Sequence, residues 1–155
     1  MSLPLYRTLA GVLLAFATTL ALADRAPRVE LLPKYRQECA ACHLAYPPGM
    51  LPAASWQRLM SGLSRHYGSD ASLDPATLAE LSGWLDAHAG TGKRVDARPP
   101  PEDRITRSDW FVREHDELPP AVWKRPAVKS AANCAACHTQ ADQGDFRERN
   151  IRIPR

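Results

Sequence analysis

Apolar residues fall along this chain in several distinct rhythms, and each predicts a different element. No charged residue occurs between Arg7 and Asp24, and the apolar run between them closes on Ala21-Leu22-Ala23. One cation, an apolar stretch and a small-x-small ending predict an export leader over 1–23, cleaved after Ala23. The run is short for a membrane span, so none is expected after cleavage. In "SWQRLMSGLSRHYG" the residues Trp56, Leu59, Leu63 and His66 follow one helical stripe, with Ser55 as N-cap and Gly68 as stop. A second helix is signalled in "LDPATLAELSGWLDAHAG": Asp74 caps it, Pro75 sits in its first turn, Leu78, Leu81, Leu85 and His88 share a register, and Gly90 ends it. In "RSDWFVREHDELPP" Phe111, His115 and Leu118 share a face before Pro119-Pro120 closes the segment. Residues 91–107 show no apolar periodicity, and Pro99 to Pro101 favour an extended polyproline spacer. Strand signals are weak, with Ile151-Arg152-Ile153 the best candidate for a short edge pairing. The pattern predicts a mainly α protein: leader 1–23, an N-terminal domain 24–92, a Pro-rich linker 93–107 and a C-terminal domain 108–155.

Composition adds little to this picture. The 155 residues are 45% hydrophobic and 24% charged, an ordinary soluble balance. The formal charge of +3 falls to +2 when Arg7 leaves with the leader, which argues against nucleic-acid binding. Each flanking unit is near the size at which a protein core alone is marginal.

The cysteines change it decisively. Cys39, Cys42, Cys134 and Cys137 all lie in two copies of one word, "CAACH", at 39–43 and 134–138. A redox-active disulfide in each would need a thioredoxin-like βαβ pattern, which the chain lacks. A four-cysteine zinc site would need a far shorter gap between the pairs. Covalent haem c remains: two intervening residues place the sulfurs near the two vinyl groups, and the histidine that follows turns toward the iron. His43 and His138 are then the proximal ligands of two haems, which supply much of the apolar interior of the two domains, and the apoprotein is expected to be poorly folded.

A vacant opposite face would mean ligand chemistry and a filled one electron transfer. Beyond Met1 the only methionines are Met50 and Met60, and the remaining histidines are His66, His88 and His115. Periodicity does not separate His66 from His88. Residues 39–90 resemble a class I cytochrome c, on the early haem word, the loop "YPPGMLPAAS" and the capped helix "DPATLAELSGWLDAH" with Trp84 placed to pack on the first helix. That resemblance implies a distal ligand just ahead of the last helix, which favours His66 over His88, with Met60 third. The second half cannot repeat this fold, because residues 139–155 hold neither methionine nor histidine nor a long helix. Its distal ligand must lie upstream, and His115 precedes His138 by the same 23 residues by which His66 follows His43.

The longer stretches "CAACHLAYPPGMLPAASWQRLMSGLSRHYGSDASL", "REHDELPP", "SAANCAACHTQADQGDF" and "IRIP" resemble the small dihaem cytochromes c of bacterial periplasms. The resemblance implies two haem-binding domains, the N-terminal one class I-like and the C-terminal one of different topology, each with two histidine ligands: His43 with His66, and His138 with His115. It also implies redox partners, a membrane b-type cytochrome and a soluble, oxygen-binding monohaem cytochrome. Bis-histidine irons titrate at lower potentials than methionine-ligated ones, so the expectation is a low-potential, monomeric electron relay rather than an enzyme. Two ferric haems with ionised propionates bring the mature chain to about 0, and two ferrous ones to about −2. Arg94, Arg98, Arg104, Arg107 and Arg113 are candidate propionate partners, and Glu114, Asp116 and Glu117 a candidate rim for a basic partner. The alternatives are the dihaem subunit of periplasmic nitrate reductase, and a dihaem peroxidase or sensor with an open iron. No H-E-x-x-H, G-x-S-x-G or phosphate-binding glycine loop is present.

Overall fold

Proline and glycine decide where the helices begin and end. The computed structural model describes residues 29–92, 95 and 98–155, so the expected leader and Arg94 lie outside the described residues. Helix α1 (Pro33–Cys39) starts on Pro33, whose missing N–H costs nothing in the first turn, and buries Tyr35. Helix α2 (Ala53–Ser61) buries Trp56 and Met60 and stops at Gly62. Helix α3 (Pro75–His88) matches the sequence expectation, with the Asp74 carboxylate accepting from the amides of Ala76 and Thr77.

These three helices make the N-terminal core. Leu81 and Leu85 of α3 meet Trp56 and Met60 of α2, with Tyr35, Leu51 and Ala45 completing the cluster. The Trp84 ring packs on Tyr35 at 5.1 Å, and Lys34 pairs with Glu80 at 2.9 Å, so the last helix of the unit lies on its first.

Two local expectations are corrected. Ser55 is not a cap: it is wholly buried inside α2, and the capping position belongs to Pro52, whose carbonyl accepts from the amides of Ser55 and Trp56. The stripe from Trp56 to His66 is not one helix. Glycine weakens a helix interior, and at Gly62 the chain leaves α2 for a single 3₁₀ turn, Leu63–Arg65, with His66 extended beyond it. Residues 66–69 then form a tight turn. Tyr67 (φ 49°) and Gly68 (φ 96°) are both left-handed, and the Ser69 amide donates to the His66 carbonyl at 3.0 Å.

The Pro-rich segment is not a free spacer. Val95 is buried, and after an extended Pro100 the chain makes two 3₁₀ turns, Pro101–Asp103 and Ile105–Arg107. Arg58 of α2 grips Asp103 with two hydrogen bonds of 2.9 and 2.5 Å, and the Tyr67 hydroxyl donates to the Glu102 carbonyl at 2.9 Å. Arg104 lies over the Tyr67 ring at 4.2 Å while it and Arg107 pair with Glu102.

The C-terminal part holds short helices α4 (Asp109–Glu114) and α5 (Pro120–Trp123), followed by isolated 3₁₀ turns. Ser108 caps α4, accepting from the Phe111 amide. Phe111, Val122, Val128 and Ala141 are buried, as is Asp145, which accepts from the Arg147 side chain and from Asn150. No strand forms among the described residues. The expected pairing at 151–153 is a single antiparallel bridge, Ile151 to His138. The fold is mainly α, as the pattern indicated, and no helix among the described residues is long and apolar enough to cross a membrane.

Candidate metal centres

The two "CAACH" words sit in different local structure. In the first, Cys39 closes α1 and packs against the N-terminal core, while Cys42 is exposed in the turn that follows. In the second, Cys134–Ala136 is a 3₁₀ turn, and the amides of Cys137 and His138 both donate to the Cys134 carbonyl. The chain end pins this word from outside: the Arg152 amide donates to the Cys137 carbonyl at 2.8 Å and the Thr139 amide to the Asn150 carbonyl at 3.1 Å.

Each word presents its histidine to a second one. The His43 ring faces His66 at 6.1 Å between centroids, and the His138 ring faces His115 at 6.2 Å. Two imidazoles on opposite sides of one metal, each bound at about 2.0–2.1 Å with a ring radius of roughly 1.1 Å, lie about 6.3 Å apart. The separations in both pairs are close to that spacing.

Hydrogen bonds select the nitrogen left free. His43 donates from Nδ1 to the Leu44 carbonyl at 2.7 Å, and His115 from Nδ1 to the Phe111 carbonyl at 2.8 Å. A ring nitrogen bonded to a carbonyl must carry the proton, so in a neutral ring Nε2 keeps its lone pair. Burial, and secondarily the neighbouring His43, lowers the His66 pKa; burial and then His115 lower that of His138. Neutral imidazole is the ligating form. His138 Nδ1 is buried without a hydrogen-bond partner.

The rivals lie outside these pairs. His88 makes the same kind of bond as His115, from Nδ1 to the Trp84 carbonyl at 2.7 Å, but its ring packs on Trp84 at 5.0 Å and, among the described residues, on no second imidazole. Met60 is 7% exposed, within the hydrophobic cluster. Burial pushes the Cys39 thiol up to about 11, assisted by Glu38, and raises Cys134 and Cys137 as well. A redox-active C-x-x-C needs the opposite shift. No disulfide joins any two of the four cysteines, and among the described residues no three metal-binding side chains converge as a zinc cage would require.

Sequence reasoning passed over the aromatic rings that seat these imidazoles. Tyr46 stacks on His43 at 5.0 Å, Tyr67 meets His66 edge-on at 4.9 Å, Phe111 stacks on His115 at 4.1 Å and Phe146 packs on His138 at 5.1 Å. Only Phe111 carried a usable signal, its four-residue offset from His115 within one helical face. The Tyr46 hydroxyl also reaches the other word, donating to the Ala132 carbonyl at 2.8 Å. Burial, with Cys134 and Tyr67 close by, pushes this phenol up to about 12.

Comparison with known proteins supplies the family. Residues 35–146 match the dihaem cytochrome c family. The diheme cytochrome type c of Shewanella baltica OS155, solved by X-ray crystallography, is 37% identical with a TM-score of 0.68, over 79% of this chain and 92% of that one. Two structures of the diheme cytochrome c of Rhodobacter sphaeroides are 42% and 40% identical, each with a TM-score of 0.66, over 76% and 77% of this chain and 99% and 100% of theirs. None of the curated proteins compared matches the chain.

Proposed function

Because this chain belongs to the dihaem cytochrome c family, and so carries two covalently attached haem c groups, we propose that it is a periplasmic electron carrier with two bis-histidine irons. The bound haems supply reversible one-electron chemistry at iron. Cys39 and Cys42 hold one group by thioether links and Cys134 and Cys137 the other. His43 and His66 ligate the first iron, and His138 and His115 the second. The observation that carries this assignment is the pair of facing imidazoles, 6.1 and 6.2 Å apart, each including the histidine of a cysteine word.

The chain's own residues shape the redox behaviour. Backbone carbonyls on Nδ1 of His43 and His115 orient these rings and raise their basicity as ligands, favouring the ferric state. An iron held by two of these histidines would change no ligand on oxidation or reduction, so reorganisation would be small and no site would be left for a substrate. The exposed acidic group Glu114, Asp116 and Glu117 beside His115 suits a basic docking partner. We assign the protein to the step between a membrane b-type or quinol-linked donor and a soluble haem acceptor, working as a monomer.

A spectropotentiometric titration of the holoprotein, combined with stopped-flow oxidation by a soluble c-type cytochrome, tests this reading. Two one-electron waves, both below those of histidine-methionine cytochromes, and a salt-sensitive second-order rate are expected. A wave at histidine-methionine potential, or no exchange with any soluble haem protein, contradicts it.

A further inference from the structure

The two sites meet at one side chain. Tyr46 follows His43 by three residues, and its ring lies nearly parallel to that imidazole, with 5.0 Å between centroids and 24° between planes. Its hydroxyl ends on the Ala132 carbonyl, two residues before Cys134. Its backbone carbonyl is held in turn, accepting at 2.8 Å from the hydroxyl of Tyr35, itself 3% exposed in the N-terminal core. The phenol is thus tied at both ends, by the first unit through its backbone and by the second through its oxygen. Nothing in the ligand sets explains this: Tyr46 touches no second imidazole and caps no helix.

We propose that Tyr46 is the positioning residue and electronic contact between the two haem sites, joining the proximal ligand of the first to the cysteine-bearing edge of the second. The inference rests on the assignment of His43 and Cys134 above. Aromatic stacking on a ligating imidazole extends the first site outward through a packed π system, and the bond to Ala132 holds its far end against the residues that carry the second group. Tyr46 is half-buried, and a packed ring with a fixed hydrogen bond transmits electronic coupling better than a gap filled by mobile water. In the transfer step one electron leaves a ferrous iron and arrives at a ferric iron of the same chain. One centre is oxidised as the other is reduced, and no bond or proton changes place.

Flash photoreduction of the oxidised holoprotein, followed by the first-order, concentration-independent redistribution between the haems, tests the proposal. Tyr46→Phe keeps the ring and loses the anchor; Tyr46→Leu loses both. Redistribution is expected to slow by about tenfold in Tyr46→Leu, equivalent to about 1.4 kcal/mol on the barrier, with Tyr46→Phe between it and the parent. A static readout accompanies it: losing the anchor raises amide exchange across residues 131–134 by about fivefold in Tyr46→Phe. A Tyr46→Leu rate within twofold of the parent, with both haems still six-coordinate, overturns the proposal. If Tyr46→Leu fails to mature, Tyr46→Phe decides: faster amide exchange with slower redistribution supports the bridge, and parent values for both exclude it. A parent protein with no first-order phase at all would sink the relay itself, an outcome distinct from a parent phase that the substitutions leave unchanged.

Discussion

Replacing Asp103 probes the clasp that the Pro-rich segment places over the His66 loop. Its side chain is 13% exposed and takes two hydrogen bonds from Arg58, which is 52% exposed. A charge-assisted bidentate pair is worth more than a neutral bond, but the open guanidinium side is screened by solvent. We therefore assign it about 1 kcal/mol. Asp103 also lies at φ 54°, next to Glu102 at φ 56°, a left-handed conformation that Asn tolerates and Ala resists by about 1 kcal/mol. Asp103→Asn should therefore cost about 1 kcal/mol and Asp103→Ala about 2, or about 2–4 and 4–8 °C in Tm for a chain of this length. Differential scanning calorimetry of the holoprotein reads both. The pH dependence has a definite sign. Burial is the largest single influence and works to raise the Asp103 pKa, yet the Arg58 hydrogen bond and charge together with the neighbouring Ser55 hydroxyl outweigh it and hold the carboxyl below its ordinary value. The resulting stability is present above the ordinary carboxylate pKa and is lost as pH falls through the depressed one. Asp103→Asn should thus converge on the parent in acid and diverge from it at neutral pH. Equal Tm values for Ala and Asn, or a difference from the parent that persists unchanged into acid, would refute the reasoning.

Three further outcomes follow from the same geometry. Asp74→Ala removes the acceptor for two amides at the start of α3 and should lower Tm by calorimetry, without changing the spectrum of either haem. His66→Gln should open the first iron to carbon monoxide while His88→Gln leaves the optical spectrum of the reduced protein unchanged; the reverse result would exchange their roles. Deleting residues 151–155 removes the Arg152 bond to the Cys137 carbonyl and the bridge at Ile151, and should disturb the EPR signal of the second haem alone.

What was readable in advance divides along physical lines. Helix α3 was legible to the residue because its signals are local: Asp74 and Pro75 act within one turn, and Leu81 and Leu85 follow one period. The cysteine words were equally legible, since the chemistry of attachment is contained in five consecutive residues. His66 was not separable from His88 by periodicity, because what sets its ring opposite His43 is the break at Gly62 and the left-handed turn at Tyr67 and Gly68. Only resemblance, to class I cytochromes and to the small dihaem cytochromes c, favoured it. The segment 93–107 read as a spacer because the contacts of its described residues run through Asp103, Glu102 and Arg104, polar groups that leave no hydrophobic rhythm. Beyond α5 the C-terminal part is built from 3₁₀ turns and the Asp145, Arg147 and Asn150 network, for which no sequence period exists. The seam at Tyr46 joins residues 86 apart and is invisible to any local reading.

The most direct test of the central claim is the low-temperature EPR spectrum of the oxidised holoprotein, paired with the optical spectrum of the reduced protein before and after carbon monoxide. Two low-spin haems and a reduced spectrum indifferent to carbon monoxide are the predicted result, with all four imidazoles bound. A high-spin signal, or a spectrum shifted by carbon monoxide, would contradict it and turn the protein from a carrier into a ligand-binding one.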